Sequence, residues 1–349
     1  MMRVSDFDYS LSEDRIAQSP VPKGQSRLLH LSSRGSCSHH RVDNLPELLH
    51  PGDLLVVNDT RVIPARLYAH RTATGGKLEL LLVERLSSTE WLALARPGKR
   101  ARLGARFDLD GDLQVEVVQR LDEGQIRIRF SEPIEPHLDR LGHVPLPPYI
   151  RRRDQSADKV DYQTVYADSP GAIAAPTAGL HFSRALLDQM KVAGIGLATI
   201  TLHVGIGTFR PVTAELIDDH RMESERFEIS AATASAIIST QSSGGRIVAV
   251  GTTVVRTLES VAGSQGEITA SSGRTDLFIR PGYRFRTVDL VLTNFHLPRS
   301  TLLMLVCAFA GRQPVLDAYS QALTTGYRFY SYGDCMLVET PDQIAVAHA

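Results

Sequence analysis

Three short segments of this chain each set an imidazole among small, hydroxylated and conformationally special residues. They are Ala175-Pro176-Thr177-Ala178-Gly179-Leu180-His181-Phe182, Thr201-Leu202-His203-Val204-Gly205-Ile206-Gly207-Thr208-Phe209 and Thr293-Asn294-Phe295-His296-Leu297-Pro298. Glycine lets backbone approach a ligand closely, and histidine is the side chain whose charge changes near neutral pH. The shared pattern predicts one polar site assembled from several loops, although each histidine alone would suit a simple backbone contact. Zinc ligation is not indicated, because no HxxxH pair occurs and small residues rather than carboxylates surround each imidazole. Gly205-Ile206-Gly207-Thr208 could cradle a phosphate or a nucleoside edge, but it lacks the third glycine of the dinucleotide fingerprint, and a plain turn serves equally well.

Further polar groups stand where strands should end. Thr252 and Thr253 follow the apolar run Arg246 to Gly251 and open a helix, the place where open α/β sheets bind ligands. Capping explains one hydroxyl, but not both together with Arg256 and Glu259. Asp59 lies between the run Leu54 to Asn58 and Arg61, as an ion pair or a ligand contact. In Asp218 to Glu225, helical spacing would put His220 and Ser224 on one side, and Glu225 would suit a ribose diol. Arg96, Lys99, Arg100, Arg102 and Arg106 occur with no acid between them, and Arg151, Arg152 and Arg153 form a second basic cluster. Both are candidate phosphate contacts in a chain whose net charge is only -1.

With 349 residues, 43% hydrophobic and 22% charged, the composition is that of a globular protein of about two domains. The near-zero charge gives no global pull toward nucleic acid or membrane, so binding of an anionic polymer must use a local patch. Cys37, Cys307 and Cys335 are odd in number and form no CxxC pair, which argues against a disulfide framework and for a reducing cytoplasm. The start is not expected to be a secretory signal. The run Leu302 to Ala310 is shorter than the roughly 20 residues of a membrane span, so no membrane role is expected.

The elements that must position these groups follow from periodicity. Between Ala65 and Phe130, short strands are predicted at Lys77 to Leu86, Glu90 to Ala95, Leu113 to Leu121 and Gln125 to Phe130. Ile126, Ile128 and Phe130 alternate with Arg127 and Arg129. Asp122-Glu123-Gly124 and Gly75-Gly76 supply hairpin turns, and the sum is a small barrel or sandwich. After Arg153, strands (Gly196 to Val204, Arg246 to Gly251, Val288 to Phe295) alternate with helices (Ala231 to Ser242, Thr252 to Val261, Thr301 to Ala310, Pro314 to Thr324). The fold class expected is an α/β layered domain formed by both ends of the chain, with an inserted small all-β barrel. Residues 1–64 and 151–349 form the first and residues 65–150 the second. Pro145, Pro147 and Pro148 stiffen the return crossover.

Taken together, these strings resemble the S-adenosylmethionine:tRNA ribosyltransferase-isomerases of queuosine biosynthesis. The resemblance is carried over nearly the whole length by Asn58 to Arg66, Gly142 to Ile150, Tyr162 to Tyr166, Ala175 to Phe182, Thr201 to Phe209, Gly251 to Ser260, Thr293 to Leu305 and Tyr327 to Asp334. One departure is Glu223, which stands where many members have a histidine after Met222. The resemblance implies transfer and isomerisation of the ribosyl unit of S-adenosylmethionine onto 7-aminomethyl-7-deazaguanine at the tRNA wobble position. Epoxyqueuosine-tRNA, adenine and methionine result. It further implies S-adenosylmethionine as a co-substrate, no resident cofactor, no metal and tRNA as the partner; a monomer is expected.

Under that resemblance His181 and His203 are the expected acid/base residues. Thr177, Gly179, Gly205, Gly207, Thr252 and Thr253 would line the S-adenosylmethionine pocket, and Glu225 or Glu259 would hold the ribose. Asp59, Asn294 and His296 would read the modified base. Lys99, Arg100, Arg102, Arg151 and Arg152 would grip phosphates. Two other readings stay open: an S-adenosylmethionine-dependent RNA methyltransferase, which should carry a Gly-rich first βα turn that is not found, and a non-catalytic RNA-binding protein, which would not need the imidazole loops.

Overall fold

In a computed structural model, residues 2–72, 74–110, 113–205, 207 and 212–341 are described. The central strands show why a layered fold forms. In the strand Leu54–Asn58, Leu54 and Val56 pack into one hydrophobic core while Leu55 and Val57 pack into another. The strand Ile247–Val250 divides in the same way, Ile247 and Ala249 against Val248 and Val250. Successive side chains leave a strand on opposite faces, so a run apolar at every position must be covered on both.

The strands, in chain order, are β1 (Arg27–Leu31), β2 (Cys37–Arg41), β3 (Leu54–Asn58), β4 (Thr60–Val62), β5 (Arg66–Arg71), β6 (Lys77–Arg85), β7 (Glu90–Arg96), β8 (Arg106–Asp110), β9 (Leu113–Arg120), β10 (Gln125–Phe130), β11 (Ser169–Ala172), β12 (Gly196–Leu202), β13 (Glu225–Ile229), β14 (Ile247–Val250), β15 (Ser271–Thr275), β16 (Leu290–Asn294) and β17 (Cys335–Glu339). Nine form one mixed sheet in the order β15-β13-β12-β3-β14-β16-β17-β1-β2. Within it β12, β3, β14 and β16 run parallel, in register Gly196 and Ile247 on Leu54 and Leu290 on Val248. β17 runs antiparallel to β16.

Three helices are single turns, α1 (Leu45–Leu48), α2 (Leu138–Leu141) and α3 (Asp158–Asp161). Longer ones are α4 (Arg184–Val192), α5 (Ala231–Ser242), α6 (Thr252–Val261), α7 (Thr301–Ala310) and α8 (Arg312–Thr324). α5 to α8 cover one face of the sheet and α1 and α4 the other. Ser183, Ser230 and Ser300 cap α4, α5 and α7 by accepting from backbone amides three residues on. Among the described residues no single helix is long and apolar enough to cross a membrane.

β5 to β10 close into an antiparallel barrel in the order β10-β7-β6-β5-β8-β9 around its own core, which includes Leu67, Leu80, Trp91, Phe107, Ile128 and Phe130. The fold class read from the sequence is therefore the one found. β4, leading into the barrel, pairs in parallel with β11, which follows it, so the two crossings lie side by side. One local expectation is corrected. Asp218 to Glu225 is not a helix: a short turn at Ile217–Asp219 gives way to extended chain, and Glu225 begins β13.

Candidate active site

The carboxyl ends of β12, β14 and β16 open on one side of the sheet, where open α/β sheets take their ligands. The segments that follow those strands, together with Ala174 to Ala178, Pro148-Tyr149 and Tyr330-Ser331, enclose a cavity of about 610 Å³. Thr177, Gly207, Thr252, Thr253, Asn294 and His296 all line it. The three loops that resembled one another in sequence thus share one hollow, although only His296 of their imidazoles does. Among the described residues no aspartate or glutamate lines this cavity, and its one charged group, Arg299, pairs with Asp8.

The other expected residues lie around it. His203, Gly205 and Glu225 line a second cleft, of about 590 Å³, whose far wall is the barrel's Val83, Trp91 and Leu92. His181 borders a third hollow, of about 290 Å³, beside Lys23 and Ser26. Gly179 packs under Tyr166, whose hydroxyl occupies the place of a side chain there. Asp59 accepts from the Thr201 hydroxyl at 2.6 Å. Ile206 and Thr208, from the second imidazole loop, lie outside the described residues.

Two carboxylates expected on the ribose are held by the protein itself. Glu225 forms a buried pair with Arg256, and its other oxygen accepts from the Gly205 amide at 3.1 Å. It therefore fixes the start of the glycine loop rather than facing the larger cavity. Glu259 accepts from the backbone amides of Arg286, Thr287 and Val288 and from the Tyr283 hydroxyl, and it lines none of the three hollows. Arg152 is likewise engaged, in a two-pronged bond to buried Asp158 at 2.6 and 2.7 Å, and Arg151 binds Glu13 at the surface. Lys99, Arg100 and Arg102 remain exposed beyond β7 on the barrel.

The imidazoles differ in what their nitrogens can do. The amide nitrogen of Asn294 donates to the Tyr330 carbonyl at 3.0 Å and contacts His181 Nε2 at 3.1 Å. His181 Nε2 must then accept, so Nδ1 carries the proton and donates to Ser26 Oγ at 2.8 Å. Both nitrogens of His181 are engaged. His203 meets Thr60 Oγ1 through Nδ1 at 2.9 Å, and among the described residues its Nε2 has no hydrogen bond. His203 packs directly on Gly171, where any Cβ would meet the ring at 2.8 Å. His296 bonds Thr293 Oγ1 through Nε2 at 2.8 Å. Burial pushes His181 down to about 3, helped by Lys23 and Arg328, and burial alone takes His296 to about 3. His203 is lowered too, by burial and Arg226, while Asp59 and Glu228 pull the other way.

These shifts carry a stability prediction. An unfolded imidazole titrates near about pH 6.5. The unfolded chain therefore binds protons first as pH falls, while His181 and His296 stay neutral in the fold. Their stabilisation is complete above that pH and is lost toward their folded values, at about 1.4 kcal/mol per pH unit for each once the unfolded imidazoles are charged. Calorimetry between about pH 6.5 and 5 should show a falling Tm, with a smaller slope in His296→Gln. A Tm independent of pH in that window would contradict both assignments.

Site residues that the sequence reading did not single out come from three segments. The Tyr149 and Tyr330 rings pack with centroids 4.0 Å apart, and Tyr149 shares a hydrogen bond of 2.5 Å with Ser331. Tyr330 and Arg299 have φ of 74° and 58°, the two non-glycine left-handed residues of the described chain, and both line the larger cavity. Such strain concentrates at functional sites. Without a glycine to mark it, this backbone leaves no trace in composition; the only signal was that both residues stand in strings that carry the family resemblance.

Comparison with known proteins places this architecture. The profile of the family described as queuosine biosynthesis protein matches residues 4–338. An S-adenosylmethionine:tRNA ribosyltransferase-isomerase of Moorella thermoacetica is 52% identical over 97% of this chain and 100% of its own. One from Acetivibrio thermocellus is 48% identical with the same coverage. The crystal structure of S-adenosylmethionine tRNA ribosyltransferase from Thermotoga maritima superposes with a TM-score of 0.54, at 39% identity, over 96% of this chain and 100% of that one. Neither the methyltransferase nor the non-catalytic reading is favoured by these matches. A barrel inserted in a mixed α/β sheet, loops converging at its strand ends, and relatives alike from end to end agree: the chain belongs to the S-adenosylmethionine:tRNA ribosyltransferase-isomerase family of queuosine biosynthesis.

Proposed function

We propose that this protein transfers and isomerises the ribosyl unit of S-adenosylmethionine onto 7-aminomethyl-7-deazaguanine at the wobble position of tRNA, yielding epoxyqueuosine-tRNA, adenine and methionine. The observation that carries the reading is the cavity where three imidazole-bearing segments meet at the sheet's carboxyl edge, in a chain half identical to enzymes of that name. Its chemistry suits the donor substrate. α6 starts at Gly251 with no side-chain cap, so its first turn offers unpaired donors to a polar group of the donor substrate. Tyr149 and Tyr330 offer aromatic surface for a purine.

A sulfonium acidifies the adjoining sugar C–H, so what the protein must add is a positioned base and exclusion of water. Under this reading His203 moves the proton through its unbonded Nε2, and His181 works through Asn294, whose amide it orients. Thr252, Thr253, Thr177 and Gly207 contact the donor. The second cleft, between barrel and sheet, admits the RNA base, with Asp59 behind it bracing Thr201. Lys99, Arg100 and Arg102 meet phosphates from the barrel, without compensating carboxylates in their turn. The protein acts as a cytoplasmic monomer, consistent with three unpaired cysteines.

Incubation with S-adenosylmethionine and tRNA carrying the modified base should release adenine and methionine in equal amounts, and tRNA lacking that base should release neither. Formation of S-adenosylhomocysteine would identify a methyltransferase instead and end the proposal.

A further inference from the structure

Among the described residues, three side chains lining the larger cavity have a buried polar atom without a hydrogen-bond partner: the Tyr162 hydroxyl and, as a pair, Asn294 Oδ1 and Thr253 Oγ1. Leaving such groups unpaired costs roughly 1–3 kcal/mol each, so a protein that keeps them usually keeps them for a ligand. Asn294 and Thr253 sit on neighbouring elements. Gly251 donates to the Leu292 carbonyl at 2.8 Å, and each of the pair lies two residues beyond that bond on its own chain.

The polarity of Asn294 is fixed. Its nitrogen is held by two acceptors, the Tyr330 carbonyl and His181 Nε2, so the amide cannot turn over and Oδ1 can only accept. Asn294 is only 3% exposed, so its polar atoms depend on partners within the fold or in the cavity it lines. Thr253 keeps a hydroxyl that can donate. The cavity thus presents an acceptor and a donor side by side, with the Tyr149 and Tyr330 rings on another part of its wall.

The geometry points to Asn294 and Thr253 as the pair that reads the base of the ribosyl donor, Asn294 Oδ1 accepting from the exocyclic amine of adenine and Thr253 Oγ1 donating to the ring nitrogen beside it. This rests on the proposed function and adds the residues that select the donor's base. The contact from Thr253 would also ease departure of adenine, since a hydrogen bond to a ring nitrogen stabilises the leaving group. His181 becomes a positioning residue: it sets which way the Asn294 amide faces and touches no reacting atom.

The test measures inhibition constants of adenosine, inosine, 2′-deoxyadenosine, 1-deazaadenosine and 7-deazaadenosine, with adenine release from S-adenosylmethionine and modified tRNA as the assay. Wild-type protein should prefer adenosine to inosine by roughly 10-fold or more. Asn294→Ala should reduce that preference to within about 3-fold while leaving the ratio of adenosine to 2′-deoxyadenosine unchanged. In Thr253→Val, adenosine should weaken, and one of the two deaza analogues should bind mutant and wild type alike. If Asn294→Ala does not fold, the Thr253→Val comparison decides alone. Equal binding of adenosine and inosine to wild type, a preference surviving Asn294→Ala, or coupling of either mutation to the 2′-hydroxyl would overturn the assignment. Loss of adenine release from wild type itself would instead refute the proposed function.

Discussion

Replacing Arg256 by Ala should destabilise the fold by about 3–5 kcal/mol, because it strands the Glu225 carboxylate. The two side chains are 6% and 8% exposed, and Arg256 also donates to the Leu277 carbonyl at 3.0 Å. A carboxylate left alone at that depth must either stay charged without a partner or take up a proton. The consequence reaches the site, since Glu225 also accepts from Gly205 at the start of the glycine loop. Chemical denaturation of Arg256→Ala should give a lower midpoint with an unchanged slope. The double variant Glu225→Leu with Arg256→Met should recover most of the stability, as buried pairs often tolerate apolar replacement. It should not recover turnover, because the Glu225 carboxylate no longer holds the start of the glycine loop. Full activity in a stable double variant would show that this pair has no part in placing the loop.

His203→Gln should lower single-turnover adenine release by roughly 100-fold or more while binding of tRNA and S-adenosylmethionine holds. Gln can keep the contact to Thr60 but cannot take up a proton. The pH profile gives an independent readout. A base works when deprotonated, and burial and Arg226 hold His203 below the ordinary imidazole value. The acid limb of the wild-type rate should therefore lie below about pH 6.5 and should vanish in the variant. His181→Gln should behave differently. Its effect should fall mainly on KM for S-adenosylmethionine with the acid limb retained, because His181 has both nitrogens engaged and acts through Asn294. An acid limb that persists in His203→Gln would move the base to another residue.

Much of the architecture was present in the order of residues. Apolar runs at every position, such as Leu54 to Val57 and Ile247 to Val250, can be stable only with cover on both faces, so they announce a layered sheet. Alternation at Ile126, Ile128 and Phe130 announces a strand covered on one. The helices Ala231–Ser242 and Thr252–Val261 match the predicted spans, since each follows a residue that closes the preceding strand, the capping Ser230 and the left-handed Gly251. β13 was lost because charges at Glu225, Arg226 and Glu228 hide its inward Phe227 and Ile229. β1 and β17 are short, and their pairing joins segments some 300 residues apart, a distance over which local pattern says nothing.

The site divides along the same line. By itself the sequence determined which loops carry hydroxyl, amide and imidazole groups, because residue type and neighbouring glycine or proline are local properties. Which of those groups face one another was decided by the tertiary structure alone. Parallel pairing of β12, β3, β14 and β16 brings Thr253, Asn294 and His296 to one cavity, yet turns His203 to the barrel cleft and His181 behind Asn294. Glu225 and Glu259 looked equally free on paper, and each is held by a partner distant in sequence. A side chain's chemistry is carried by its own atoms, but its direction is set by whatever the fold packs against it.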